Sequence, residues 1–217
     1  MSLVRSLLDA VKSPPAPPDP PAGKVPAHGW APFDGPLAKR PRNRAEVVEM
    51  FGDPTRGGLY MRKADPTWVK LSIVECRGPD AFLPVLAKAY FPVHRLVEPY
   101  MREAFRRAEL AAPGYIGRPG TWGYNFRRIR HSVTGPLSYH AYGIAVDVNP
   151  DDNRAVTFAP GKTPAPWSPE WNRIWPRGMP LEVVEAFESC GFSWGGRWKG
   201  FSDPMHLEWV SKREAKV

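Results

Sequence analysis

Two short stretches concentrate the residue types that do metal or hydrolytic chemistry. SYHAYGIAVDVNP, from Ser138 to Pro150, sets His140 and Asp147 seven residues apart with Gly143 between them. FSDPMHLEW, at 201–209, holds Asp203, His206 and Glu208. Imidazole nitrogen and carboxylate oxygen are good zinc ligands, and a catalytic zinc takes three protein ligands and leaves one position open. His140 and Asp147 supply two. His28, His94, His131 and His206 are the candidates for the third. Among these, His206 follows a polar turn and has Asp203 three residues upstream. A carboxylate beside a metal, but not on it, suits hydrolysis: it takes a proton from the attacking water and passes it to the leaving amine. Taken singly, each residue has an ordinary reading. Asp147 reads as a solvent-facing strand acid, His94 and His131 as surface or core-edge histidines, and Glu208 as an exposed strand carboxylate. The pairing of the two stretches favours a site.

The elements that must position these groups are legible in part. IAVDVN (144–149) alternates, with Ile144, Val146 and Val148 on one face and Ala145, Asp147 and Asn149 on the other, which predicts a strand. Gly143 lets the chain bend after His140, and Ala145 keeps space beside Asp147. HLEWV (206–210) predicts a short last strand with His206 and Glu208 on one face. NRAEVVEMFGDP predicts a helix capped by Asn43 and stopped at Gly52. WVKLSIVEC (68–76) predicts a strand. Residues 80–110 predict a helix broken near Pro92, with Leu96, Tyr100 and Phe105 on one face. WGYNFRRIR (122–130) alternates weakly and predicts a strand. PLEVVEAFESCGF predicts a helix opened by Pro180 and ended by Gly191. Trp167, Trp171 and Trp175 fall at helical spacing behind Ser168 and Pro169; core packing is the expectation, a lid over a substrate the sharper alternative. Together these elements predict an α+β domain, a small antiparallel sheet with flanking helices, over residues 37–217. Residues 1–36 predict a short N-terminal helix and a proline-rich arm.

Composition bounds the partners. The chain has 217 residues, of which 42% are hydrophobic, enough for a real core. Its 27 prolines cluster early, above all in 13–36, where they favour extended conformation. A formal net charge of +8 suits a polyanion such as nucleic acid, an anionic membrane or an acidic cell wall. No nucleic-acid recognition motif is present, and KRPRNR at 39–44 reads as a solvated turn. No apolar run reaches the ~20 residues of a membrane span. MSLVRSLLDAVK lacks the cleavage site and apolar length of a signal peptide. The expectation is a protein made in the cytoplasm that reaches its place of action by another route. Cys76 and Cys190 lie far apart, each after an apolar run, and read as buried free thiols.

The first motif, S-x-H-x-x-G-x-A-x-D, comprises Ser138, His140, Gly143, Ala145 and Asp147. The second, D-x-x-H-L-E, comprises Asp203, His206, Leu207 and Glu208. Together they resemble the M15 family of zinc peptidases, the D-alanyl-D-alanine carboxypeptidases and L-alanyl-D-glutamate endopeptidases that cut bacterial cell-wall peptides. GFSWGGRWKGFSDPMHLEW (191–209) is similar to a run in phage endolysins of this kind. The resemblance covers residues 92–212. It implies a small α+β fold of the Hedgehog/DD-peptidase type, with Zn2+ held by His140, Asp147 and His206 and with Asp203 as general base. It also implies an arginine that steadies the substrate carbonyl, Arg127 in preference to Arg128 of YNFRRIRHS. Ser138, Trp194, Gly195 and Gly196 are then expected at the substrate groove, with a structural turn the equal alternative for the two glycines, and with Glu208 behind His206. The implied protein is a monomer acting on peptidoglycan stem peptides after release by phage lysis, injection or a virion. The D-x-x-H form and the W-G-G-x-W run favour L-alanyl-D-glutamate cleavage over D-alanyl-D-alanine trimming. A non-catalytic, metal-stabilised wall-binding module is the rival of another class, against which Asp203 argues. Leu207 stands where the family usually has phenylalanine, and residues 151–180 form a segment to which the resemblance assigns no role.

Overall fold

The computed structural model describes residues 30–37, 39–58, 63–76, 91–116 and 121–211. Most of the expected proline-rich arm, the candidate ligand His28 and the first part of the expected 80–110 helix lie outside these residues. Helix α1 (Arg44–Phe51) starts where the Asn43 side chain accepts from the Glu46 N–H and ends at Gly52, whose φ of 77° only glycine adopts cheaply. A second helix, α2 (Pro66–Ser72), occupies most of what the sequence predicts as a strand. Asp65 accepts from the Trp68 N–H and Pro66 fits the first turn, so a capped helical start overrides the β-branched residues behind it. Only Ile73–Glu75 remain as strand β1.

β1 pairs antiparallel with β2 (Pro92–His94). The described part of the expected 80–110 helix is therefore a strand, a turn and then helix α3 (Glu98–Ala111). Pro92 has no N–H to give, and it sits in an edge strand, where none is needed. Residues 122–130 form no continuous strand. Trp122 bridges Asp147, Arg128 bridges Leu137, and a single 3-10 turn follows at Ile129–His131. Downstream come β3 (Ala145–Asp147), β4 (Val156–Thr157), α4 (Pro169–Ile174), α5 (Leu181–Ser189), β5 (Ser193–Trp194), β6 (Phe201–Ser202) and β7 (His206–Glu208). Strands β3, β7 and β5 form an antiparallel sheet with β7 in the middle, and β4 pairs with β6. The fold is α+β, and among the described residues three small antiparallel sheets are flanked by helices. Among the described residues, no helix is long and apolar enough to cross a membrane.

The core lies between α3, α5 and the β3–β7–β5 sheet. Phe187 meets Phe105 at 5.3 Å and Phe192 at 5.5 Å, both edge to face. Trp171 and Trp175 are buried in the same core, and Trp167 stacks on Trp194 at 5.2 Å, so the tryptophan stripe packs. Cys76 and Cys190 are buried free thiols, and burial pushes Cys190 up to about 12. Residues 39–44 depart from the solvated turn expected of them. Arg40 donates to the Gly191 carbonyl at 2.6 Å and Arg44 to that of Leu137, so two guanidiniums tie the segment to backbone carbonyls.

Phe187 is fully buried where α3 and α5 meet. Phe187→Ala is expected to cost about 3–5 kcal/mol, the usual loss for a buried aromatic ring. Urea unfolding measures it, and a loss under ~1 kcal/mol would contradict this packing.

Candidate metal centre

The two sequence stretches meet through very local devices. The Ser138 hydroxyl accepts from the His140 N–H at 3.4 Å and opens a single 3-10 turn, Tyr139–Tyr142. Gly143 closes it at φ 69°, where a Cβ would sit 2.6 Å from the His94 backbone nitrogen. The chain then enters β3, where Asp147 stands directly opposite His206 of β7. Opposed residues of an antiparallel pair share a face, so carboxylate and imidazole point the same way. The preceding turn brings His140 to them.

His140 Nε2 lies 3.2 Å from Asp147 Oδ1 and 3.1 Å from His206 Nδ1, which is 3.0 Å from the same oxygen. All three residues are buried. Their outer partners decide the tautomers. His140 Nδ1 is 2.8 Å from the Gly123 carbonyl, which only accepts, so Nδ1 carries the proton and Nε2 presents a lone pair. His206 Nε2 is 3.0 Å from Glu208 Oε2, so in the neutral ring Nδ1 presents a lone pair as well. Three electron pairs then converge on one point, an arrangement that needs a cation between them. Ligands placed tetrahedrally at about 2.0–2.1 Å from a metal stand roughly 3.3 Å apart, close to the separations here. Two imidazoles and one carboxylate fit a divalent transition metal.

Charge is distributed accordingly. Burial holds His140 below the ordinary histidine value, so it stays neutral. Burial also opposes ionisation of Asp147, but the neighbouring His140 and His206 imidazoles outweigh it and hold that carboxyl far below the usual range. Burial opposes the charge on His206 too, yet Asp147 and Glu208 raise it to about 10. In the metal-free chain a proton on His206 thus takes the place of the cation.

Asp203 stands in the turn before β7. Its N–H donates to the Gly195 carbonyl and its own carbonyl accepts from the His206 N–H, both at 3.1 Å. Its Oδ1 is buried and has no hydrogen-bond partner among the described residues. Burial pushes the carboxyl up to about 6; His206 and Arg127 pull it down, while Asp147 and Glu208 push it further up. The carboxylate borders a cleft of about 1040 Å3, which Arg127, Ser138, Trp194, His206 and Glu208 also line. Arg127 lies over the Trp122 ring at 5.4 Å, whereas Arg128 donates to the Gly135 carbonyl and does not border the cleft. His131 is exposed at the cleft mouth. His94 is a core residue whose Nδ1 accepts from the Leu96 N–H at 3.2 Å.

Gly195 and Gly196 do not border the cleft as expected. Both are buried in the 3-10 turn Gly195–Arg197 behind it. A Cβ on Gly195 would sit 2.6 Å from the Asp203 carbonyl oxygen, and one on Gly196 would strike the Trp194 ring. They are there to let this turn close on the Asp203 segment. Trp198 of the W-G-G-x-W run packs 5.4 Å from His206, and sequence reasoning missed Trp122, which stacks on His140 with centroids 4.5 Å apart. It also missed the Gly123 carbonyl. A tryptophan in a weakly alternating run and a backbone oxygen have no spacing signature.

Loss of any one ligand, in His140→Ala, Asp147→Ala or His206→Ala, is expected to abolish stoichiometric metal uptake, as elemental analysis after dialysis measures. Metal must also displace the His206 proton. Binding near neutral pH should therefore release about one proton, and affinity should weaken about tenfold for each unit the pH falls below about 10. Calorimetry in buffers of different ionisation enthalpy reads this, and binding without proton release would refute it. In the metal-free protein the sign follows from a raised folded value. The stabilisation is fully present below 6.5 and is lost as pH rises through about 10.

Comparison with known proteins gives the site a family. Residues 131–209 match the M15 peptidase model described as D-alanyl-D-alanine carboxypeptidase. Over 84 residues the chain is 35% identical to the peptidoglycan L-alanyl-D-glutamate endopeptidase CwlK of Bacillus subtilis (strain 168). That alignment covers 35% of this chain and 41% of the relative, so the chain spans less than half of that protein's length. No solved structure matches. The matched segment holds His140, Asp147, Asp203 and His206 in the arrangement just described, and in both comparisons it is similar to M15 peptidases.

Proposed function

We propose that the protein is a zinc-dependent peptidase of peptidoglycan stem peptides, cutting between L-alanine and D-glutamate. Asp203 carries this reading. It is a half-buried residue whose Oδ1 is itself buried and lacks a partner among the described residues, and it borders the same cleft as the three-donor site. A purely structural metal site has no use for such an acid, which speaks against a non-catalytic wall-binding module. The two-histidine, one-carboxylate donor set supports zinc as the metal, with a position left for the reaction. Zinc held there would supply a Lewis acid that makes water nucleophilic near neutral pH and polarises the scissile carbonyl.

This chain's own residues do the rest. Asp203, as carboxylate, takes one proton from the water whose oxygen attacks the carbonyl carbon. It then gives that proton to the amide nitrogen as the carbon–nitrogen bond breaks, so that one acid and one amine leave. The value of about 6 suits both halves of this transfer, since the group gains and loses a proton near neutral pH. Arg127 is placed on the cleft wall to donate N–H groups to the oxygen on which negative charge builds. His140 and His206 keep their tautomers through Gly123 and Glu208.

The relative's name supports the choice of bond. The description of the matching family model favours a second reading, removal of a terminal D-alanine, in which Arg127 would hold the terminal carboxylate.

Asp203→Asn is expected to keep its metal and lose about 10²-fold or more in turnover on purified peptidoglycan. Wild-type rates in the metal-loaded variant would remove Asp203 from the mechanism. Arg127→Ala should slow turnover more than Arg128→Ala does. Gly195→Ala should retain metal yet lose activity, because its methyl group forces the Asp203 backbone away. Mass spectrometry of the digest identifies the bond. New N-terminal D-glutamate supports the endopeptidase, and release of D-alanine with the L-alanyl-D-glutamate bond intact selects the other reading.

A further inference from the structure

The cleft carries more positive charge than hydrolysis of an amide requires. Arg42, Arg44, Arg127, Arg130 and Arg197 border it, against the acids Asp203 and Glu208. Some of this charge is already matched. Glu46 holds Arg42 at 2.8 Å and Glu188 holds Arg197 at 3.0 Å, while Glu208 is taken by His206. Arg44, Arg127 and Arg130 have no carboxylate within ion-pair distance among the described residues. Arg127 has its place beside the reacting carbonyl. Arg44 and Arg130 remain.

Both are held in place, and at different points along the cleft. Arg44 opens α1. Its guanidinium donates to the Leu137 carbonyl and lies over the Tyr139 ring at 4.8 Å. The chain just before it is fixed beside the exit of β7, where the Ser211 N–H donates to the Pro41 carbonyl at 2.9 Å. Arg130 lies instead over Phe201 of β6, at 5.2 Å. Its backbone is left-handed, with φ 53°, and so is that of His131. Such a conformation is unfavourable for residues with a Cβ and gathers where function holds it. Neither arginine lies within the matched 131–209 segment. What they contribute is therefore additional to the site that defines the family.

We propose that Arg44 and Arg130 are specificity-determining residues that hold free carboxylates at two points along the substrate, so that the cleft selects carboxyl-bearing stem peptides over the same peptides in carboxamide form. This rests on the peptidase reading above. A carboxylate offers two acceptor oxygens and a full charge to the guanidinium fork. A carboxamide offers one oxygen, no charge, and an NH2 group that can only donate. Arg44 is the better organised of the two, because the Leu137 carbonyl and the Tyr139 ring fix its plane before any substrate arrives.

The test uses the metal-loaded full chain and synthetic stem peptides in which the carboxyl groups are converted to carboxamides one at a time. The wild type is expected to lose about tenfold in kcat/KM for the critical conversions at low ionic strength, and less as salt screens the pairs. Arg44→Gln and Arg130→Gln should each shrink the ratio of carboxyl to carboxamide kcat/KM at one position by about three- to tenfold. Arg44→Lys should recover part of the Arg44 effect, since it keeps the charge and loses the fork. A wild type indifferent to every conversion overturns the proposal, as does full discrimination persisting in either glutamine variant. If the metal-loaded wild type cleaves none of the peptides, the peptidase reading falls and this proposal with it. Equal cleavage of all of them defeats the proposal alone.

Discussion

Lone pairs from His140, Asp147 and His206 point at one buried place, and they can stay there only with positive charge between them. The geometry follows from that constraint. Gly123 and Glu208 each take the outer proton of one imidazole, which leaves the inner nitrogens bare. A divalent metal satisfies all three donors at once. Without one, the site retains a proton on His206, bridging Asp147 and Glu208. Metal and proton therefore compete for the same imidazole nitrogen, His206 Nδ1, and burial makes that competition strong, because little solvent is present to screen it.

The proposed base depends on close backbone approach as much as on charge. Asp203 belongs to a turn that hydrogen-bonds to Gly195 on one side and to His206 on the other. The same few residues thus set the distance between the acid and the metal donors. Glycine at 195 is required because the Asp203 carbonyl occupies the space a Cβ would need. Burial then raises the Asp203 carboxyl to a value at which it can exchange a proton near neutral pH. A single packing arrangement places the base and tunes it.

Around this centre the chain adds residues from outside the two motif stretches. α1 delivers Arg44 to the cleft from a position 103 residues before Asp147 in the sequence. The loop after Trp122 delivers Arg127 and Arg130, and Trp122 itself stacks on His140. Aromatic rings on the metal histidines leave those imidazoles little freedom to turn. The basic charge read from composition is in part a property of the cleft, where arginines outnumber acids.

The donor residues were legible from the sequence because their chemistry and spacing are local facts. A histidine, a glycine bend and a strand aspartate occupy eight residues, from His140 to Asp147, and Asp203 precedes His206 by three. The helices Arg44–Phe51 and Leu181–Ser189 were legible for the same reason, since their caps lie beside them. Local pattern failed where two signals competed. Asp65 and Pro66 started a helix inside an apparent strand, and Pro92 entered an edge strand inside an apparent helix. The sequence by itself pointed to the residues that gather at the candidate site and to an α+β fold. Tertiary structure alone decided that Asp147 faces His206 and is buried, that Gly195 and Gly196 serve the Asp203 turn and not the groove, and that Trp122, Arg44 and Arg130 reach the site at all. Those outcomes depend on strand register and on contacts between distant segments, and no spacing within one segment encodes them.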